Sequence, residues 1–183
     1  GETGSGKSMT ARSVMGLLPS GISTSNGSIL FRGKDLLMMS EKELSEIRGR
    51  DIGMIFQNPR TALYPLATVE TQITNILTTH LKISSHECKE KILSILSEVG
   101  IDDPERVSKA FPHELSGGMA QRVVIACAIV CEPKFVIADE PTTGLDLTIQ
   151  KQILDLISEL QQGLGISILM ITHDFCNCFN DLI

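Results

Sequence analysis

Two apolar runs restrict the folds open to this chain. KFVIAD (134–139), bounded by Pro133 and Pro141, and ISILMIT (166–172) are both short and continuous. Runs of that length without polar alternation are read as strands buried on both faces. Between them Ile149, Ile153, Leu156, Ile157 and Leu160 recur along one helical face, and Gly163 and Gly165 close that helix. Strand, helix and strand in this order make a crossover unit, which belongs to a parallel sheet. An α/β fold is therefore expected.

The preceding residues add further elements. SMTARSVMGLLP reads as a helix ended by Pro19. GSILFRGKDL reads as two short strands around an Arg32-Gly33 turn, and Ser40 with Glu43 as a capping box for a helix to about Ile47. DIGMIF (51–56) reads as an alternating strand entering the core. From Asn58 to residue 122 the pattern is wholly helical, with Ile92, Ile95, Leu96 and Val99 on one face, Ser84 or Ser85 as cap and Gly100 as stop.

Composition narrows the class. A length of 183 residues suits one domain with a subdomain, and 42% hydrophobic with 21% charged residues is ordinary for a globular protein. A net charge of −6 and 4% aromatics argue against wrapping nucleic acid or stacking bases. The longest uncharged apolar run, VVIACAIVC (123–131), falls well short of the roughly 18 residues a membrane helix needs. Cys88, Cys127, Cys131, Cys176 and Cys178 are odd in number and contain no C-x-x-C, so they read as reduced thiols, Cys127 and Cys131 in the core.

Five groups carry chemistry. GETGSGKSMT (1–10) meets G-x-x-x-x-G-K-[ST] through Gly1, Gly6, Lys7 and Ser8. Glycines let backbone N–H groups curl around phosphate oxygens, the helix start adds its positive end, Lys7 would reach the β- and γ-phosphates, and the Ser8 hydroxyl suits Mg²⁺. Taken alone, the stretch also fits a flexible Gly/Ser terminus. Asp139-Glu140 end a buried strand, where Asp139 would hold Mg²⁺ through water and Glu140 accept a proton from water. A strand can also simply end in two surface acids. His173 ends the next strand, as a γ-phosphate contact or a structural hydrogen bonder. LSGGM (115–119) opens an apolar helix, so Ser116, Gly117 and Gly118 form a second anion site or a plain cap. Gln57 follows DIGMIF and is informative only in company.

Together and in this order the five groups resemble the nucleotide-binding domain of ATP-binding cassette (ABC) proteins, from Gly1 to about Asp174. The resemblance implies a P-loop NTPase fold: a RecA-like parallel sheet core from 1–57 plus 123–183, with an inserted helical subdomain at 58–122. It implies an ATP-binding set of Gly1, Glu2, Thr3, Gly4, Ser5, Gly6, Lys7, Ser8 and Met9, with Ser116, Gly117, Gly118 and Asp146 of the Thr143–Asp146 D-loop. Mg²⁺ is assigned to Ser8, Gln57 and Asp139, and catalysis to Glu140 with His173 and Gln57. MIFQNPRTALYP, FPHELSGGM and IADEPTTGLD are similar to the ATPase subunits of peptide and nickel importers, where Met119 in place of Gln is usual. Ala120 and Gly144 depart from that subgroup's habit without removing a catalytic group.

The resemblance further implies a head-to-tail dimer, homomeric or heteromeric, with two ATP molecules between phosphate loops and opposing signature motifs. It implies integral membrane permease subunits, an extracytoplasmic solute-binding protein reached indirectly, and a place on the cytoplasmic face of the membrane. Nucleic acid is not an expected partner. A soluble ABC ATPase of DNA repair or translation would carry long insertions, zinc motifs or tandem cassettes, none of which is visible. A small GTPase would need N-K-x-D, which is lacking. A decayed binding module is opposed by Lys7, Asp139, Glu140 and His173. A phosphate loop ordinarily follows a strand and none precedes Gly1, so the chain is expected to be an internal piece of a longer protein, inactive by itself.

Overall fold

The computed structural model describes residues 5–24 and 26–172. Helix α1 (Lys7–Val14) is followed by the hairpin of β1 (Leu30–Phe31) and β2 (Lys34–Asp35), and then by α2 (Glu41–Ile47). The strand β3 (Ile52–Ile55) leads into α3 (Pro59–Ala62), α4 (Val69–His80), α5 (Ser85–Glu98), α6 (Pro104–Lys109) and α7 (Gly117–Ile129). The strand β4 (Phe135–Asp139), helix α8 (Leu147–Leu164) and strand β5 (Ser167–Ile171) complete the order.

Three parallel strands pair in the order β3-β4-β5, with Ile52 opposite Phe135 and Asp139 opposite Ile171. Because side chains alternate across a strand, β4 serves two cores. Val136 and Ala138 join the larger one with α4, α5, α7 and α8, while Ile137 joins the smaller one with Ala11, Met15, Leu36 and Leu44. The strand β3 is buried at every position rather than alternating. Gly53 explains how α7 comes so close: a Cβ there would lie 2.2 Å from the Ala128 carbonyl oxygen.

The capping box of α2 is present, with Ser40 and Glu43 reciprocally bonded, and Ser84 caps α5 in the same way. Three expectations shift. Helix α1 stops at Val14, well before Pro19, because Gly16 turns left-handed at φ 61 and Leu17 N–H closes on Arg12 O at 2.8 Å. Helix α8 runs through Gly163 and ends at the left-handed Gly165. The strand β5 is not covered on both sides: Ser167 and Leu169 are exposed on one face. Cys88 and Cys131 are buried thiols. Cys127 is only partly covered as a residue, yet burial of its sulfur pushes the thiol up to about 12. Cys176 and Cys178 lie outside the described residues.

Candidate functional site

At the start of α1, Gly6 takes φ 87 and caps the helix with backbone alone, so the first-turn N–H groups have no side-chain acceptor from the cap. Lys7 and Ser8 open the helix. Ser8 Oγ donates to Asp139 Oδ1 at 2.9 Å, which ties the first turn of α1 to the end of β4. Asp139 is 4% exposed, so its carboxylate is shielded and committed to this corner of the sheet.

Glu140 follows at φ 48, a left-handed conformation costly for a side chain of this kind. Its N–H donates to Ile171 O of β5 at 2.8 Å, which fixes the turn. The carboxylate Oε2 accepts from Gln57 Nε2 at 2.7 Å and from Thr143 Oγ1 at 3.0 Å. Gln57 is exposed and leaves the end of β3. Ser8, Gln57, Asp139 and Glu140 are thus gathered at the carboxyl ends of parallel strands, the edge at which ligands bind in open α/β sheets.

Ser116, Gly117 and Gly118 lie at a second place. Ser116 Oγ accepts from Met119 N–H at 3.3 Å and caps α7. Together with Asp146 they line a cleft of about 730 Å³ that also holds Arg60, Arg106 and Arg122. A Cβ on Gly117 would sit 3.4 Å from Leu145, and one on Gly118 would sit 3.0 Å from Ile149, so α7 lies close against the loop after β4 and the first turn of α8. Asp146 caps α8 by accepting from Ile149 N–H at 3.0 Å. The two places are linked through that loop, since Thr143 bonds Glu140 while Gly144, Leu145 and Asp146 line the cleft.

Of the remaining expected residues, Ser5 is exposed, and the carbonyl of the half-buried Met9 accepts from Ser13 Oγ at 2.8 Å. Gly1, Glu2, Thr3, Gly4 and His173 lie outside the described residues. Sequence reading missed Thr143 as a partner of Glu140 and missed the three arginines of the cleft. Arg122 donates to Val99 O at 2.6 Å and to Gln152 Oε1 at 3.4 Å, contacts with no local sequence signal.

Comparison with known proteins gives the family. The ABC transporter family model matches residues 1–143. The dipeptide transport ATP-binding protein DppD of Bacillus subtilis is 53% identical over 175 residues, which is 95% of this chain and 52% of that protein. The oligopeptide transport ATP-binding protein OppD of the same organism is also 53% identical over 175 residues, covering 95% of this chain and 49% of that one. The chain spans about half the length of these relatives. Among solved structures, the dimeric ATP-binding cassette MJ0796 bound to ADP and Pi superposes with a TM-score of 0.83 at 28% identity, covering 97% of this chain and 74% of that one. The cbiO1 protein of Clostridium perfringens, part of the ABC transporter complex cbiONQ, gives a TM-score of 0.78 at 34% identity over 95% and 65% of the two chains. The parallel sheet is that of these ATP-binding cassettes, and the chain belongs to the ABC transporter family.

Proposed function

We propose that this protein binds ATP and hydrolyses it as the ATP-binding subunit of an ABC importer. The observation that carries the reading is the Ser8–Asp139 hydrogen bond beside Glu140. It joins the phosphate-loop helix to the strand-end acid that the chemistry requires. The hydroxyl of Ser8, the buried carboxylate of Asp139 and the amide of Gln57 are hard oxygen donors, a set that fits Mg²⁺. Bound there with ATP, the ion would neutralise charge on the phosphates.

The chain's own groups divide the remaining work. The first-turn N–H groups of α1 and the ammonium of Lys7 hold the phosphates. Glu140 takes the proton of the attacking water, and the Gln57 and Thr143 hydrogen bonds orient its carboxylate. His173 is assigned to the γ-phosphate. Ser116, Gly117, Gly118 and Asp146 serve the nucleotide held by a second subunit in a head-to-tail pair. That role suits the open cleft they line and the dimeric state of the MJ0796 structure.

The core is assigned to 1–57 plus 123–183 and the helical part to 58–122. Helix α7 runs unbroken across residue 122 and so couples the two. An apolar groove of about 440 Å³, lined by Met15, Phe56, Leu63, Ile76 and Val124 among others, suits a short helix of a permease subunit. Among the described residues no helix is long and apolar enough to cross a membrane, in keeping with a peripheral place on the cytoplasmic face. The names of the relatives favour a peptide over nickel as the transported solute.

The test is equilibrium binding of Mg·ATP to the full-length protein and its Lys7→Ala variant. Loss of the ammonium is expected to weaken binding by at least about tenfold, the size of one charge-assisted hydrogen bond. Unchanged affinity would remove the phosphate-loop reading.

A further inference from the structure

Arg48 joins three parts of the molecule. It follows α2, and its guanidinium turns back towards the end of α1. Nε donates to Met15 O at 2.6 Å, and Nη2 donates to Gly16 O at 3.2 Å. The same fork donates to both carboxylate oxygens of Glu41, in the first turn of α2. The arginine side chain is only 18% exposed while Glu41 is 75% exposed, so the bond to Met15 O is better shielded from water than the ion pair with Glu41.

The helix it grips is packed through few residues. Eight residues do not make a stable helix alone. Within α1 only Ala11 is fully buried, with Met15 added at the C-cap. The carbonyls that Arg48 engages are at the negative end of the helix, where a cation is favoured. The planar fork fixes direction as well as distance, which a lysine does not. Gly16 leaves room for it: a Cβ there would lie 2.9 Å from Arg48 Nη2 and 2.7 Å from Leu44 Cδ1.

The other end of α1 carries Lys7 and Ser8. The eight residues of α1 span roughly 12 Å at about 1.5 Å per residue, too short a rod to bend appreciably. Fixing its C-terminal end therefore sets where Ser8 meets Asp139.

We propose that Arg48, held by Glu41, is a positioning residue for the phosphate-binding end of α1. It sets the axial place of the helix, and so the registration of Ser8 on Asp139. The proposal rests on the nucleotide reading of that site and adds a residue that touches neither nucleotide nor metal.

The test uses the full-length protein with Arg48→Ala, Arg48→Lys and Glu41→Gln. Amide hydrogen exchange over residues 6–17 is followed without nucleotide or metal, and ADP affinity is titrated with and without Mg²⁺. Arg48→Ala is expected to speed exchange in α1 by about tenfold or more while leaving α7 unchanged. A displaced first turn is expected to weaken Mg·ADP binding by about tenfold to a hundredfold. Arg48→Lys should recover part of both effects, and millimolar methylguanidinium should partly restore Arg48→Ala. Glu41→Gln keeps the arginine and should show the same pattern at smaller amplitude, which decides the matter if Arg48→Ala does not fold. Unchanged exchange in α1, or exchange that rises equally in α7, overturns the proposal. So does unchanged Mg·ADP affinity beside a frayed α1. If Lys7→Ala also leaves nucleotide binding intact, the nucleotide reading has failed, and the exchange measurement still decides whether Arg48 clamps the helix.

Discussion

Two helices of this molecule start at glycine-containing turns, and they are held in opposite ways. Helix α7 is capped by a side chain, Ser116, and eight of its residues from Ala120 to Ile129 are buried. Helix α1 starts at Gly6 with no side-chain cap and has one buried residue. The start of α7 is placed by the packing of the whole helix. That of α1 is placed by a few polar contacts, Ser8 to Asp139 at one end and Arg48 to Met15 and Gly16 at the other. A packed helix presents a fixed surface. A helix held by polar contacts can respond to what binds at its end, which suits a loop that must close around phosphates.

The largest expected effect separates the chemistry of the two starts. In the full-length protein Glu140→Gln keeps the shape of the side chain and removes the proton acceptor. Turnover is expected to fall by roughly 10²–10⁴-fold with ATP binding retained. Gly117→Arg is expected to stop turnover as well while leaving the ATP affinity of a single subunit close to wild type, because α7 is assigned to the nucleotide of a partner. Steady-state hydrolysis and monomer binding, measured side by side, check both. Loss of monomer binding in Gly117→Arg would put both helix starts on one nucleotide in the same chain, and the contrast would collapse.

Next in size is the packing difference. Ile125 of α7 is fully buried in the larger core, and Ile125→Ala is expected to destabilise by about 2–5 kcal/mol through the cavity it leaves. Ala11→Gly on α1 removes one buried methyl group and adds entropy to the unfolded chain, for about 1–2 kcal/mol together. Urea unfolding of the two variants gives the comparison directly. Similar losses would mean that α1 is held as firmly by packing as α7.

How much of this was legible in the sequence follows the same division. KFVIAD and ISILMIT were readable as parallel strands because a continuous apolar run at that length has few alternatives. The Ser40–Glu43 box is local, and local chemistry settled it, whereas the sequence leaves the cap of α5 open between Ser84 and Ser85 and the structure puts it on Ser84 with Glu87. Asp139 and Glu140 could be placed at a ligand edge because they end such a strand. The end of α1 was misread at Pro19 because the stop lies in the left-handed Gly16, a turn shared with Arg48 on another element. The exposed face of β5 was missed because hydropathy does not say which neighbours a strand has. Thr143 beside Glu140 and Arg122 on Val99 needed the folded chain, since nothing in their own stretches marks those contacts.

A smaller effect tests the cap itself. Ser116→Ala removes the acceptor for Met119 N–H and is expected to cost about 1 kcal/mol of stability. The corresponding position on α1 is Gly6, which has no side chain to lose, and Gly6 takes φ 87, so Gly6→Ala acts through backbone strain instead. If thermal unfolding of Ser116→Ala matches wild type, α7 does not need its cap and packing alone fixes its start.

The smallest expected effect lies at the far end of α7, where the counterpart of the Arg48 clamp is a surface pair. Lys91 Nζ lies 2.6 Å from Glu132 Oε1, tying α5 to the turn after α7. The hydrogen bond and charge of Lys91 hold the Glu132 carboxyl below its ordinary value of 4.5. A carboxylate lowered on folding contributes stability that is complete above its unfolded value and is lost as pH falls through the folded one. The glutamate side chain is 66% exposed, so solvent screens the pair and at most about 1 kcal/mol is expected. Urea midpoints of wild type and Glu132→Gln should therefore differ slightly near about pH 7 and converge only as pH falls below the ordinary 4.5 and through the lowered folded value, as the wild-type carboxylate takes its proton. A gap that stays constant across that range would assign the effect to the backbone, since Glu132 sits at φ 54 in the turn that ends α7. The contrast between the two helices would then extend to their C-terminal ends: α1 gripped by a charged fork, and α7 stopped by the chain alone.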